Sequence, residues 1–112
     1  MQERTKPVKI GSVTIGQGDL VVIAGPCSLE SEAHFNDVAA YVKAKGAQIL
    51  RGGIFKMRTD PASFQGMGEN AYAVAKKVRE VTGMPFISEV TDPRQISDLV
   101  EVVDAFQVGS RN

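Results

Sequence analysis

The chain has 112 residues, 43% of them apolar, with 13 basic and 13 acidic side chains and no formal net charge. That length permits one domain at most, and an ordinary apolar fraction with both charge signs mixed is that of a folded globular protein, not of a disordered or fibrous one. A neutral chain has no overall field to draw nucleic acid or an anionic membrane, so neither is expected as a partner and any anion binding must come from local clusters of cations.

No apolar run approaches the roughly 18 residues of a membrane span, and the opening MQERTKPVKI lacks the apolar core of a signal peptide, so a cytoplasmic protein is expected. The single cysteine, Cys27, excludes an internal disulfide and a multi-cysteine zinc site within one chain. By residue type it is a core thiol, a nucleophile or one ligand of a metal held mostly by other groups.

In chain order, two short strands, Val8–Ile10 and Val13–Ile15, are joined at Gly11-Ser12, a hairpin pattern that calls for positive φ at glycine. Residues 20–24, LVVIA, form a continuous apolar run ended by Gly25-Pro26, as expected of a parallel strand buried on both faces. Then the period changes. Phe35, Val38, Ala39 and Val42 mark one face of a helix that starts at an N-cap, Ser31, and stops at Gly46. His34 falls beside that stripe on the first turn, the place of a solvated surface histidine.

The same unit recurs. Strand 47–51 leads through a loop into a helix with its stripe at Ala71, Val74, Ala75 and Val78, closed by Gly83-Met84-Pro85. Strand Phe86–Val90 leads through Thr91-Asp92-Pro93 into a helix carrying Ile96, Leu99, Val100 and Val103, and strand 105–109 follows. Alternation of this kind means βαβ units on a parallel sheet, either an open doubly wound sheet or a (β/α)8 barrel.

The polar residues favour the barrel. Cys27, Arg51, Lys56, Glu89 and Arg111 all lie at or just beyond the C-terminal ends of successive strands, which converge on one mouth only in a barrel. A complete barrel takes ~250 residues and eight strands, so the fold expected is α/β, the N-terminal half of a (β/α)8 TIM barrel preceded by a short β-hairpin. Residues 1–19 make the extension and hairpin, and residues 20–112 the first four strands and three helices.

The loop LRGGIFKMRTDPASFQG, residues 50–66, places a lysine and two arginines beside two glycines. A single loop cation is ordinarily solvated and contributes little, but several converging at strand ends with flexible backbone suit a phosphate. Glu89, inside an apolar strand, would be costly if left without a partner, and Lys56 or an arginine is the natural one.

Four stretches in order, AGPCSLES at 24–31, LRGGIFKMRTDPASFQGMG at 50–68, ISEVTDPRQ at 87–95 and FQVGSRN at 106–112, closely resemble the 3-deoxy-7-phosphoheptulonate synthases, in the branch whose barrel follows a short hairpin. The resemblance covers nearly the whole chain from Val8 and matches the N-terminal half of such an enzyme. It implies condensation of phosphoenolpyruvate with erythrose 4-phosphate on a divalent metal. Separately, four parallel strands that should close into eight leave unpaired edges at 20–24 and 105–109, so a homo-oligomer is expected. Arg51, Lys56, Ser110 and Arg111 resemble the family's phosphoenolpyruvate site, Arg58 and Thr59 its sugar-phosphate contact, Lys56 and Glu89 its catalytic pair, and Cys27 its thiolate metal ligand. Met57 and Ser110 depart from the family pattern, which has proline and alanine there. The family's other metal ligands, a histidine, a glutamate and an aspartate, belong to its second half, so this chain alone is expected to be inactive. Two alternatives stand beside this one. The related 3-deoxy-octulosonate 8-phosphate synthases share a GPC-like start but not the RGGxFKxRT loop, and a non-catalytic half-barrel would fold or associate with residual phosphate binding only.

Overall fold

The computed structural model of the chain describes residues 6–27, 29–54 and 70–110. Val8–Ile10 (β1) and Val13–Ile15 (β2) pair antiparallel, with Val8 opposite Ile15 and Ile10 opposite Val13. Gly11 takes φ 58, the left-handed backbone that the tight turn between them requires. Ile23–Ala24 (β3), Ile49–Arg51 (β4), Phe86–Val90 (β5) and Ala105–Val108 (β6) form a second sheet, parallel throughout and ordered β3-β4-β5-β6.

Spatial order therefore follows chain order without reversal. A doubly wound sheet reverses at a switch point and carries helices on both faces; here the helices share one face. Glu32–Ala44 (α1) and Asn70–Thr82 (α2) pack together, and one apolar core unites Phe35 and Ala39 of α1, Ala71, Val74, Ala75 and Val78 of α2, Leu99, Val102 and Val103, and the sheet residues Leu50, Phe86 and Val90. Phe35 meets Phe86 edge to face at 5.7 Å between ring centroids, a contact that adds to plain burial. Ser31 caps α1 by accepting from the His34 backbone N–H at 3.1 Å, and His34 itself is exposed, as expected.

Two sequence expectations need correction. The run at 20–24 is neither a full strand nor buried on both faces: only Ile23–Ala24 pairs, Leu20 is 85% exposed and Ile23 43%. β3 is an edge of the sheet among the described residues, so side chains pointing away from the helices there meet no opposite wall. The third helix is also shorter than its stripe implies. A 3-10 turn at Pro93–Gln95 runs into a single α-turn at Ile96–Leu99 (α3), after which the chain bends toward β6. Of the expected stripe, Leu99 and Val103 are buried, together with Val102, while Ile96 and Val100 stay exposed.

Two glycines are fixed by space. A Cβ on Gly25, which sits at φ 153, would lie 1.9 Å from the carbonyl oxygen of Arg51. A Cβ on Gly52 would lie 2.6 Å from Leu29 Cδ1 and 3.1 Å from the Phe35 ring. The first neighbour is backbone and cannot yield, whereas the second is the end of a leucine side chain. Gly52→Ala is therefore expected to destabilise by about 1–3 kcal/mol, the usual cost of overpacking, and Gly25→Ala by more. Thermal melts of the two variants check the order; an equal or reversed order would contradict the close approach at Gly25.

Candidate active site at the strand ends

Side chains alternate along a strand. Leu50, Phe86 and Val90 point into the helix-facing core, which places Ile49, Arg51, Ile87 and Glu89 on the other face of the sheet. Register aligns Arg51 with Ile87, Ile87 with Ala105 and Glu89 with Gln107. Toward the C-terminal ends, this face thus changes from isoleucine and alanine to arginine, glutamate and glutamine within one step of each strand. Arg51 and Glu89 are half-buried there. That is where a barrel concentrates its chemistry.

The loops above these ends are knitted by backbone hydrogen bonds. Gly52 N–H donates to the Ile87 carbonyl (3.1 Å), Gly53 N–H to the Cys27 carbonyl (3.1 Å), and Leu29 N–H to the Gly53 carbonyl (2.9 Å). Cys27, in the loop after β3, is exposed. It is carried by the same glycine pair that follows Arg51. Neither Gly52 nor Gly53 has a positive φ. Gly52 supplies room for Leu29 and Phe35, and Gly53 bonds the backbone of Cys27 and Leu29, instead of the conformational freedom that a phosphate loop suggests.

Of the other residues singled out by sequence, Ser110 follows β6 and is exposed. Lys56, Arg58, Thr59 and Arg111 lie outside the described residues. Residues that sequence reasoning missed are Gln107, cross-strand neighbour of Glu89, and Ser88, whose hydroxyl accepts from the Ile54 N–H at 3.3 Å. A lone serine within the apolar FISEV was the available signal.

In the loop after β5, the Arg94 side chain bonds Asp92 through Nε (3.0 Å) and holds the Asp92 carboxyl at about 2, well below its ordinary value. Asp92 also accepts from the Arg94 backbone N–H (2.8 Å) and so starts the 3-10 turn. Both partners face solvent, so this pair shapes the loop more than it stabilises the fold.

Among the described residues no three His, Cys, Asp or Glu side chains come together to hold a metal ion. Cys27 fits a thiophilic divalent metal as one ligand, and a catalytic site ordinarily needs three protein ligands. No helix among the described residues is long and apolar enough to cross a membrane.

Residues 3–112 match the profile of the DAHP synthetase I family. Phospho-2-dehydro-3-deoxyheptonate aldolase of Thermotoga maritima is 35% identical over 105 residues, covering 94% of this chain and 31% of that protein. The crystal structure of phospho-2-dehydro-3-deoxyheptonate aldolase (DAHP synthase) from Thermotoga maritima superposes with a TM-score of 0.87 at 34% identity, over 96% of this chain and 31% of that one. A 2-dehydro-3-deoxyphosphooctonate aldolase of Nitrobacter winogradskyi is 36% identical over 109 residues, covering 90% of this chain and 38% of that protein. The chain thus spans about a third of the length of these relatives. With its hairpin, its ordered parallel strands and a matching profile over nearly every residue, the chain belongs to the DAHP synthetase I family.

Proposed function

We propose that the protein carrying this chain is a 3-deoxy-7-phosphoheptulonate synthase, condensing phosphoenolpyruvate with erythrose 4-phosphate in the first step of the shikimate pathway to the aromatic amino acids. The observation that carries this reading is the switch from Ile49 to Arg51 and from Ile87 to Glu89 on the face away from the helices, at the strand ends where Cys27 is also tethered. A cation and a carboxylate on the wall of a mouth floored by isoleucines suit an anionic enol substrate that must be gripped and kept from bulk water.

In the reaction, carbon 3 of the enol forms a bond to the aldehyde carbon, water adds at carbon 2, and the C–O bond to phosphate breaks. Arg51 and Arg111, whose guanidinium forks match carboxylate and phosphate oxygens, clamp phosphoenolpyruvate with Lys56 and the adjacent Ser110. Arg58 and Thr59 receive the sugar phosphate. Glu89 holds the attacking water or orients Lys56. Cys27 contributes one ligand to a divalent metal, which when bound polarises the aldehyde oxygen; the remaining ligands come from outside the described residues.

Heptulosonate and octulosonate synthases differ in the aldehyde. Subtracting the three carbons of phosphoenolpyruvate leaves a four-carbon aldose phosphate for the first and a five-carbon one for the second. Relatives of both kinds match at similar identity, 35% and 36%, so overall similarity does not choose between them; the RGGIFKMRT loop at 51–59 favours the four-carbon substrate. Phosphate release by the full-length gene product is the assay. Turnover at least roughly tenfold faster with the four-carbon aldose phosphate, abolished by a chelator and restored by a divalent metal, is expected. Preference for the five-carbon aldose would move the protein to the octulosonate branch, and release with neither would contradict the proposal.

The 112-residue chain by itself is a different object. We infer that it has no turnover and that it pairs with a second copy of itself, because among the described residues β3 and β6 are the edges of the sheet, and Leu20, Ile23, Phe106 and Val108 are exposed apolar side chains in or beside them. Open edges and apolar patches recruit other chains, and a two-fold pairing of halves would bring eight parallel-sheet strands together. Light scattering at micromolar concentration should return at least twice the 12.0 kDa chain mass. A compact monomer would contradict the inference.

A further inference from the structure

Along β4 and β5 the ladder advances by regular steps: Leu50 N–H donates to the Pro85 carbonyl (2.8 Å) and Gly52 N–H to the Ile87 carbonyl (3.1 Å). The next step of a parallel ladder would take Ile54 N–H to the Glu89 carbonyl. It does not. Ile54 N–H donates instead to Ser88 Oγ (3.3 Å), and the Ser88 hydroxyl donates onward to the Glu89 carbonyl (3.4 Å). One side-chain oxygen is interposed where two backbones would otherwise meet. Ile54 is fully buried and Ser88 is 1% exposed, so no solvent competes for that N–H.

We propose that Ser88 is a positioning residue, a hydroxyl wedge that parts the C-terminal ends of β4 and β5 and holds the Gly53–Ile54 backbone at the spacing the mouth needs. The parting lies just beyond Arg51 on one strand and beside Glu89 on the other, the two charged residues of the face turned away from the helices. Its reach extends one strand further. Gly53, covalently next to Ile54, donates to the Cys27 carbonyl and accepts from Leu29 N–H, so the wedge is linked through Gly53 to the backbone that carries Cys27. A hydroxyl suits this position because it both accepts and donates. An aliphatic side chain of the same shape would leave the Ile54 N–H buried without an acceptor, which is costly, and the loop would shift to find one. The consequence for metal and substrate rests on the function proposed above; the wedge itself does not.

The test compares Ser88→Thr with Ser88→Val in the full-length gene product, two side chains of one shape that differ in the hydroxyl. Two readouts need neither metal nor substrate: amide exchange at Gly53 and Ile54, and the rate of iodoacetamide alkylation of Cys27 at one fixed pH, checked by peptide mapping. The threonine variant should match the unmodified protein in both. The valine variant should exchange roughly tenfold or more faster at those amides and alkylate Cys27 at a changed rate. Ser88→Ala, which adds no bulk, should behave as valine does and serves if the valine variant does not fold. Threonine and valine variants alike in both readouts, or an alanine variant indistinguishable from the unmodified protein, would overturn the proposal. Failure of the synthase assay with these readouts intact would refute the proposed function and leave the wedge standing.

Discussion

The β3 and β4 backbones come together where a glycine meets the Arg51 carbonyl, with no room between them for even a methyl group. Everything above the sheet depends on that approach. It lets the loop after β3 run alongside the loop after β4 closely enough for Gly53 to bond both Cys27 and Leu29, and it leaves Leu29 free to fill the space above Gly52. Backbone hydrogen bonds buried in a tight contact are strong constraints because neither partner has water to fall back on. The backbone at position 27 is therefore tied to a neighbouring loop, through the Gly53 N–H on its carbonyl.

The sheet beneath this contact is built from two faces with opposite tasks. Leu50, Phe86 and Val90 join the α1 and α2 stripes in a dry core, with Phe35 against Phe86 at its centre. The opposite face is apolar at Ile49 and Ile87 and becomes charged one step further along. Charges at the rim of an apolar floor interact more strongly with an anion than they would in open water, since the local dielectric is lower. The fold thereby spends its isoleucines on rigidity and reserves the strand ends for chemistry.

How much of this was legible in the sequence depends on how far each signal extends along the chain. The stripe at Ala71, Val74, Ala75 and Val78 is wholly buried, because α2 keeps its period for 13 residues. The α3 stripe holds only at Leu99 and Val103, because α3 is a single turn between a proline-led 3-10 turn and an early bend, and Ile96 and Val100 stay exposed. Burial of LVVIA was misjudged because an apolar run reports what a strand can bury, not whether a wall stands opposite. At the site, the strand-end positions of Cys27, Arg51 and Glu89 were legible from βα spacing. The packing role of Gly52 and the wedge at Ser88 were not: each depends on a partner brought in from another strand or helix, and on a ladder register that no local pattern encodes.

If the strand ends form one anion site, the most direct measurement is calorimetric titration of phosphoenolpyruvate into the full-length gene product at low and high salt. Binding should weaken as salt rises, fall by at least roughly tenfold on Arg51→Ala, the cost of removing a charge-assisted contact, and stay unchanged on Lys76→Ala, an exposed cation on α2. Equal losses from the two substitutions, or none from either, would mean that the Arg51 loop is a solvated surface and would contradict the account.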